Sequence, residues 1–107
     1  MTFIRNKTIE QILIKHPNKI PIIITKKQGS TINELKKKKY LVSKDFTMGQ
    51  FIWKIREYLN LNSSEAIFLF TNNTLIQTTI TANELYQKQK NDDGILYIKY
   101  SSEEVFG

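Results

Sequence analysis

The chain has 107 residues, which is enough for one domain of ordinary size. Hydrophobic residues make up 40% of it and charged residues 24%, as in globular domains and unlike disordered chains. With no cysteine and a single histidine, His16, the sequence lacks disulfides, thiol nucleophiles and ligands for a typical zinc site. We therefore expect no metal, no cofactor and no enzymatic activity. No apolar run reaches the roughly 20 residues that span a bilayer, and a cytoplasmic location is expected.

Positive charge is concentrated in the first half of the chain. The net charge is +6, but residues 1–53 hold 11 basic and 3 acidic residues, whereas residues 54–107 hold 5 basic and 7 acidic ones. The densest stretch is Lys36–Lys39. Such a run is typical of a solvated sheet edge, where lysines deter aggregation. It also favours acidic partners such as peptides, anionic membranes or nucleic acids.

The first half predicts one helix and two strands. Apolar residues at helical spacing predict a helix within Thr2–Lys15, ended by Pro17. A β-branched run, Ile20–Thr25, predicts the first strand, and Pro21 indicates either a strand start or an edge position. Lys39–Ser43 predicts a second strand, antiparallel to the first.

The second half predicts two helices and two further strands. Thr47 and Gln50 have the spacing of a capping box and open an amphipathic helix, and Thr81 and Glu84 open a shorter one through about Gln89. The two strands are predicted at Ala66–Thr71 and Ile95–Tyr100.

This order of elements predicts an α+β fold of the β-grasp type, in which a four-stranded mixed sheet carries a crossover helix and one added N-terminal helix. A ferredoxin-like arrangement needs a different order of elements. The whole chain, 1–107, is predicted to be one β-grasp domain. Residues 1–16 form the N-terminal helix, 17–100 the β-grasp core and 101–107 a flexible tail.

Several short motifs, in order along the chain, resemble one known family. They are His16–Pro21, Lys38–Val42, Gly49–Phe51, Ala66–Phe70, Asn72–Leu75, Leu85–Gln87, Asp93–Tyr97 and the terminal Phe106–Gly107. With these motifs the chain resembles the autophagy-related ubiquitin-like modifiers, of the autophagy-related protein 8 / GABARAP type. Members of that family usually have two N-terminal helices, of which this sequence predicts only the second.

The resemblance implies a role as a tag joined to phosphatidylethanolamine in autophagy. Gly107 would be the conjugated residue, and Phe106 would be gripped by the processing and conjugating enzymes. The implied partners are activating and conjugating enzymes, a deconjugating cysteine protease, a phosphatidylethanolamine membrane, and adaptor or receptor proteins. Once lipidated, the protein would be associated with the autophagosome or a related organelle.

The resemblance also implies a docking surface for short aromatic-x-x-aliphatic motifs, added as an extra strand beside the second strand of the sheet. Residues implied for the aromatic pocket are Thr8, Ile12, Pro21, Lys39, Leu41 and Ile95. Those implied for the aliphatic pocket are Tyr40, Val42, Phe46, Phe51 and Ile55. Lys19, Lys37 and Lys39 would meet the acidic residues that flank such motifs.

Two alternatives remain open at this level. One is a ubiquitin-like tag conjugated to a protein in place of a lipid. The other is a basic nucleic-acid-binding module, although arginine is scarce, with Arg5 and Arg56 only, and stacking aromatics at the spacing of RNA-binding sheets are lacking. No specific nucleic-acid partner is therefore expected.

Overall fold

The computed structural model describes residues 9–104 and the backbone of residues 2–3. The elements follow one another as β1 (Thr2–Phe3), α1 (Ile9–Lys15), β2 (Lys19–Lys26), β3 (Lys39–Ser43), α2 (Met48–Leu59), β4 (Phe68–Thr71), β5 (Thr74–Leu75), α3 (Ala82–Gln89) and β6 (Leu96–Ser101).

All strands of the described residues belong to one mixed sheet, in the order β1-β3-β2-β6-β4-β5. β2 is antiparallel to β3 and parallel to β6, and β4 is antiparallel to β6. The parallel contact at the centre requires a long crossover, and the connection from β3 through α2 supplies it. The predicted α+β, β-grasp architecture is confirmed.

The sheet has two more strands than predicted, one at each edge. Thr2–Phe3 was predicted to be helical, and this is wrong, because its backbone pairs with β3. At the other edge, Asn72 and Asn73 have φ of 50° and 62° and connect β4 to β5 as a two-residue hairpin. Two consecutive positive φ angles favour Asn and Gly, so the Asn-Asn pair was the signal for the missed hairpin.

Pro21 lies in the central strand β2, not at an edge, and its position is explained by the register. Ile24 N–H donates to the Lys38 carbonyl, just before β3, at 2.8 Å, so the backbone groups of Pro21, three residues earlier, point to the other side, toward β6. Pairing with β6 begins only at Ile22. The nitrogen of Pro21 therefore faces a place where no ladder hydrogen bond is required.

The larger part of the core lies between the sheet and α2. Phe51 and Ile55 on α2 are fully buried against the strands. Both ends of α2 are fixed, by the predicted Thr47–Gln50 capping box and by Asn60 in the left-handed conformation. Gly49 suits the start of this helix because an added Cβ would lie 3.2 Å from the Thr78 carbonyl oxygen.

The loop between β2 and β3 is tied down from inside the core. The buried Tyr100 hydroxyl accepts from Leu35 N–H and donates to the Asn33 carbonyl, both at 2.9 Å. Ile32 and Leu35 are buried in the same core. The basic segment Lys36–Lys39, at the end of this loop, is therefore held in a fixed position where the chain enters β3.

Candidate functional site

Four of the six residues predicted for the aromatic pocket are gathered on the face of the sheet away from α2. Pro21 is paired with Leu41 in the register, and Ile95 immediately precedes Leu96, the partner of Ile22. α1 packs beside β2 and buries Ile12. These four residues, Ile12, Pro21, Leu41 and Ile95, are buried, and they lie outside the core beneath α2.

The two remaining members of that set differ from the others. Lys39 is exposed and, two residues before Leu41 on β3, lies on the same face of the strand. It is placed to form the rim of a pocket, with its charge in solvent. Thr8 lies outside the described residues.

The residues predicted for the aliphatic pocket lie on the opposite face, beneath α2. Tyr40, Val42, Phe51 and Ile55 belong to the main core and are at most 1% exposed. Phe46 is partly buried against them. The Tyr40 ring meets Phe51 edge-on, with centroids 6.2 Å apart, and stacks on Tyr58 at 5.9 Å. These side chains fill the space themselves, so this set is a closed part of the core here.

The two sets are separated by β3 itself, because consecutive residues of a strand point to opposite faces. Leu41 therefore faces the α1 side, whereas Tyr40 and Val42 face α2. An extended peptide beside β3 would follow the same alternation, and its residues i and i+3 would also point to opposite faces. An aromatic-x-x-aliphatic spacing fits this arrangement, with one anchor on each face of the sheet.

The basic residues predicted to meet an acidic flank are at the surface near β3. Lys37 and Lys39 are exposed and Lys19 is half-buried. Among the residues that the structure describes, Glu34 pairs with Lys26 at 3.7 Å and with Lys38 at 3.5 Å, and Lys37 and Lys39 form no salt bridge. They remain available for acidic groups of a partner.

The Tyr40 phenol links this basic segment to the core. Its hydroxyl donates to the Lys37 carbonyl at 2.6 Å. Burial raises the pKa of Tyr40 to about 12, with the neighbouring Tyr58 and Tyr100 acting in the same direction. The phenol therefore remains protonated near neutral pH, and the hydrogen bond holds the backbone just before β3.

The start of the C-terminal tail is fixed by the sheet. β6 extends to Ser101, one residue beyond the predicted strand, and Ser101 pairs with Phe68. Lys27 N–H also donates to the Tyr100 carbonyl at 2.8 Å. Glu103 and Glu104 are exposed, whereas Phe106 and Gly107 lie outside the described residues.

A second surface feature was not predicted from the sequence. A groove of about 870 Å³ lies between the end of α2 and the loop before β4, with Trp53, Arg56 and Phe68 among its lining residues. Trp53 is 68% exposed, and the Arg56 guanidinium lies 6.0 Å from its ring centre. The large outward aromatic on α2 was the available signal, but it carried no pattern that specified a ligand.

Within residues 9–104 no cluster of His, Asp or Glu is arranged to hold a metal ion. No described helix is long and apolar enough to cross a membrane.

The parallel pairing of β2 with β6 and the crossover helix α2 define a ubiquitin-like β-grasp protein. The family model described as "Autophagy protein Atg8 ubiquitin like" matches residues 4–107, and the chain belongs to this family. It is therefore an autophagy-related ubiquitin-like modifier.

Two solved structures are similar over most of their lengths. Trypanosoma brucei ATG8 is 39% identical, with a TM-score of 0.84 over 92% of this chain and 84% of that one. Plasmodium falciparum Atg8, solved in complex with a P. falciparum Atg3 peptide, is 32% identical, with a TM-score of 0.82 over 91% of this chain and 86% of that one.

Proposed function

We propose that this protein is conjugated through the carboxyl group of Gly107 to phosphatidylethanolamine and recruits motif-bearing proteins to an autophagic membrane. The observation that carries the proposal is the family match over residues 4–107. The geometry of β3 supports the recruiting role, because it places one apolar set on each face of the sheet beside an exposed lysine cluster.

The conjugation needs no catalytic group on this chain. ATP would convert the Gly107 carboxylate into an acyl adenylate with release of pyrophosphate. A cysteine of the activating enzyme would then displace AMP, and a cysteine of the conjugating enzyme would take over the acyl group. Attack by the lipid amine finally forms an amide and returns the thiol. Glycine suits this terminus because it lacks a Cβ that would crowd the attacked carbonyl.

Phe106 is proposed as the side chain that the processing and conjugating enzymes hold beside Gly107. β6 ends at Ser101, and the six residues that follow it reach roughly 20 Å when extended. That length is sufficient to enter an active-site slot of a partner while the folded domain stays outside. A cysteine protease acting at the same bond would reverse the attachment.

Partner recruitment is proposed to use β-strand addition beside β3. Backbone hydrogen bonds would hold the peptide, and its aromatic and aliphatic anchors would enter the α1 and α2 faces. Both faces are filled in the free protein, so binding requires local adjustment of Leu41 and Phe46 and their neighbours. Lys37 and Lys39 would attract acidic residues of the peptide and raise the association rate.

A conjugating enzyme is one expected partner of this surface. The similar Plasmodium falciparum Atg8 was solved with an Atg3 peptide, which supports a corresponding contact here. Adaptors and receptors with the same kind of motif are further proposed partners.

The test is reconstitution with cognate activating and conjugating enzymes, ATP and liposomes containing phosphatidylethanolamine. The intact chain is compared with a chain lacking Gly107, and the product is followed by gel shift and intact mass. We expect a mass gain of one lipid, only with Gly107 present. A protein-sized adduct would instead establish the protein-tag alternative, and no adduct with enzymes shown to be active would refute conjugation.

Motif binding is tested separately with a labelled peptide, Asp-Asp-Glu-Trp-Thr-Ser-Leu-Gly, by fluorescence anisotropy. The double variant K37E/K39E is expected to weaken binding, because it replaces attraction of the acidic flank with repulsion. The matched control is the pair Lys88→Glu in α3 and Lys90→Glu just after it, which changes the net charge equally. Equal weakening by both pairs would contradict a local role for the β3 lysines.

A further inference from the structure

The outer edge of β3, where a peptide strand would have to add, is already occupied by the chain's own N-terminus. β1 pairs antiparallel with β3, with Thr2 opposite Leu41 and Phe3 opposite Tyr40. In the order of the sheet, β1 is the terminal strand and β3 is next to it.

The register identifies which backbone groups β1 uses. Ile24 N–H donates to the Lys38 carbonyl, and Lys44 N–H donates to the Asn18 carbonyl. From Lys38 to Lys44, the even-numbered residues therefore direct their backbone groups toward β2. Leu41 directs its N–H and C=O outward, to the position of Thr2. These outward groups are the ones that an added peptide strand needs.

We propose that β1 is an internal competitor that closes the peptide-docking edge until an acidic partner segment displaces it. This inference rests on the proposed function, since it concerns access to the same edge. A two-residue strand offers few hydrogen bonds, so it covers the edge without holding it tightly. A longer peptide that also places two apolar anchors would make more contacts and replace it.

Charge supports displacement by an acidic segment in particular. The sequence of residues 1–8 contains two basic residues, Arg5 and Lys7, and no acidic one. The edge that β1 covers is itself flanked by Lys37 and Lys39, both exposed. An acidic peptide gains attraction from these lysines, which residues 1–8 cannot provide because they contain no acidic side chain.

The first test measures the internal strand without any ligand. Thr2→Pro removes the N–H that faces Leu41 and weakens β1, whereas Thr2→Val keeps that N–H and the β-branched shape. Hydrogen exchange of the Leu41 amide is followed by NMR, with the inward-facing Val42 amide as internal control. We expect Leu41 exchange to rise at least about fivefold in T2P only. An unchanged Leu41 rate in T2P would overturn the proposal.

The second test measures competition with the peptide Asp-Asp-Glu-Trp-Thr-Ser-Leu-Gly by fluorescence anisotropy. If β1 must leave before the peptide binds, the apparent Kd equals the intrinsic Kd divided by the open fraction, and T2P should bind about three- to tenfold more tightly than the intact chain. T2V should remain within about twofold of the intact chain, because its edge is still closed.

The outcomes separate this inference from the proposed function. Tight and equal binding of the peptide by T2P and T2V would overturn the proposal that β1 competes with the peptide, but it would leave motif docking intact. Weaker binding by T2P would also overturn it, since β1 would then be part of the binding surface. Binding by neither form would refute motif docking, and with it the competition, even if Leu41 exchange responds to T2P.

Discussion

The helices packed on the two faces of the sheet contribute differently to the stability of the domain. On one face, a 12-residue helix, α2, is capped at both ends and covers a core that includes Phe51, Ile55 and Tyr100. On the other face, the described part of α1 has seven residues and buries Ile12. Helices of that length are not stable alone in water, so α1 depends on its contact with the sheet. The α2 face therefore determines global stability, and the α1 face is the one that can open locally.

This difference matters for the proposed docking surface, since one peptide anchor is assigned to each face. An anchor entering the α1 face needs only a local displacement, because the described residues that line this face lie outside the main core. An anchor on the α2 face must be accommodated at the border of the main core, near Phe46, which is only partly buried. We infer that the deeper residues of this set act as support beneath the anchor.

The largest expected effect comes from truncating the centre of the α2 face. Phe51→Ala removes a fully buried ring that packs edge-on against Tyr40, and it should lower the free energy of unfolding by about 3–5 kcal/mol. Urea unfolding followed by circular dichroism measures the change. A loss below about 1 kcal/mol would contradict the assignment of stability to this face.

The corresponding change on the α1 face is Ile12→Ala, with a smaller and more local effect. Ile12 is 2% exposed whereas Ile14, on the same helix, is 81% exposed. We expect I12A to lower the free energy of unfolding by about 2 kcal/mol, at the lower end for such truncations, because α1 can move while the rest of the domain stays folded. Hydrogen exchange should accelerate in α1 and remain slow in α2. I14A is the matched control. An equal response from I14A would rule out that Ile12 holds α1 against the sheet.

Most of the fold was predictable because its strongest signals are local. The Thr47 and Thr81 capping boxes, the β-branched strand at Ile20–Thr25 and the helical spacing of Phe51 and Ile55 each specify one element. β1 was not predictable, since Thr2 and Phe3 become a strand only because β3 offers an open edge. Such pairing depends on residues distant in sequence, and no local pattern encodes it.

The membership of the candidate site stays a prediction, and part of its arrangement was encoded in the sequence. Family resemblance supplied the residues, and the structure shows that they divide between the two faces of the sheet. Alternation along Lys39–Ser43 places Tyr40 and Val42 opposite Leu41 and predicts this division from the sequence alone. The complete burial of Tyr40 and Val42 could not have been read from the sequence, because it depends on how closely α2 packs against β3.

Capping gives a third, smaller effect on the α2 face. The Thr47 hydroxyl accepts from Gln50 N–H at 3.1 Å, and the Gln50 side chain accepts from Thr47 N–H at 2.8 Å. Thr47→Ala should lower the free energy of unfolding by about 1 kcal/mol. Thr47→Ser retains the hydrogen-bond acceptor and should lower it by less than half of that. Thermal unfolding of the two variants measures the difference. Equal losses would show that the methyl group of Thr47, and not its hydroxyl, stabilises the start of α2.

The smallest effect is expected at the most conspicuous surface residue. Trp53 is on α2 but points away from the sheet, so Trp53→Ala removes little buried area and should cost no more than about 0.5 kcal/mol, including its contact with Arg56. Arg56→Ala should cost more, about 1 kcal/mol, because its guanidinium donates to the Asn62 and Glu65 carbonyls at 2.8 and 2.7 Å. These bonds fix the connection from α2 to β4, whereas the indole contacts the Arg56 guanidinium. Urea unfolding of both variants tests this order. The reverse order would mean that the outer side of α2 carries packing energy, and stability would then not be confined to the side that faces the sheet.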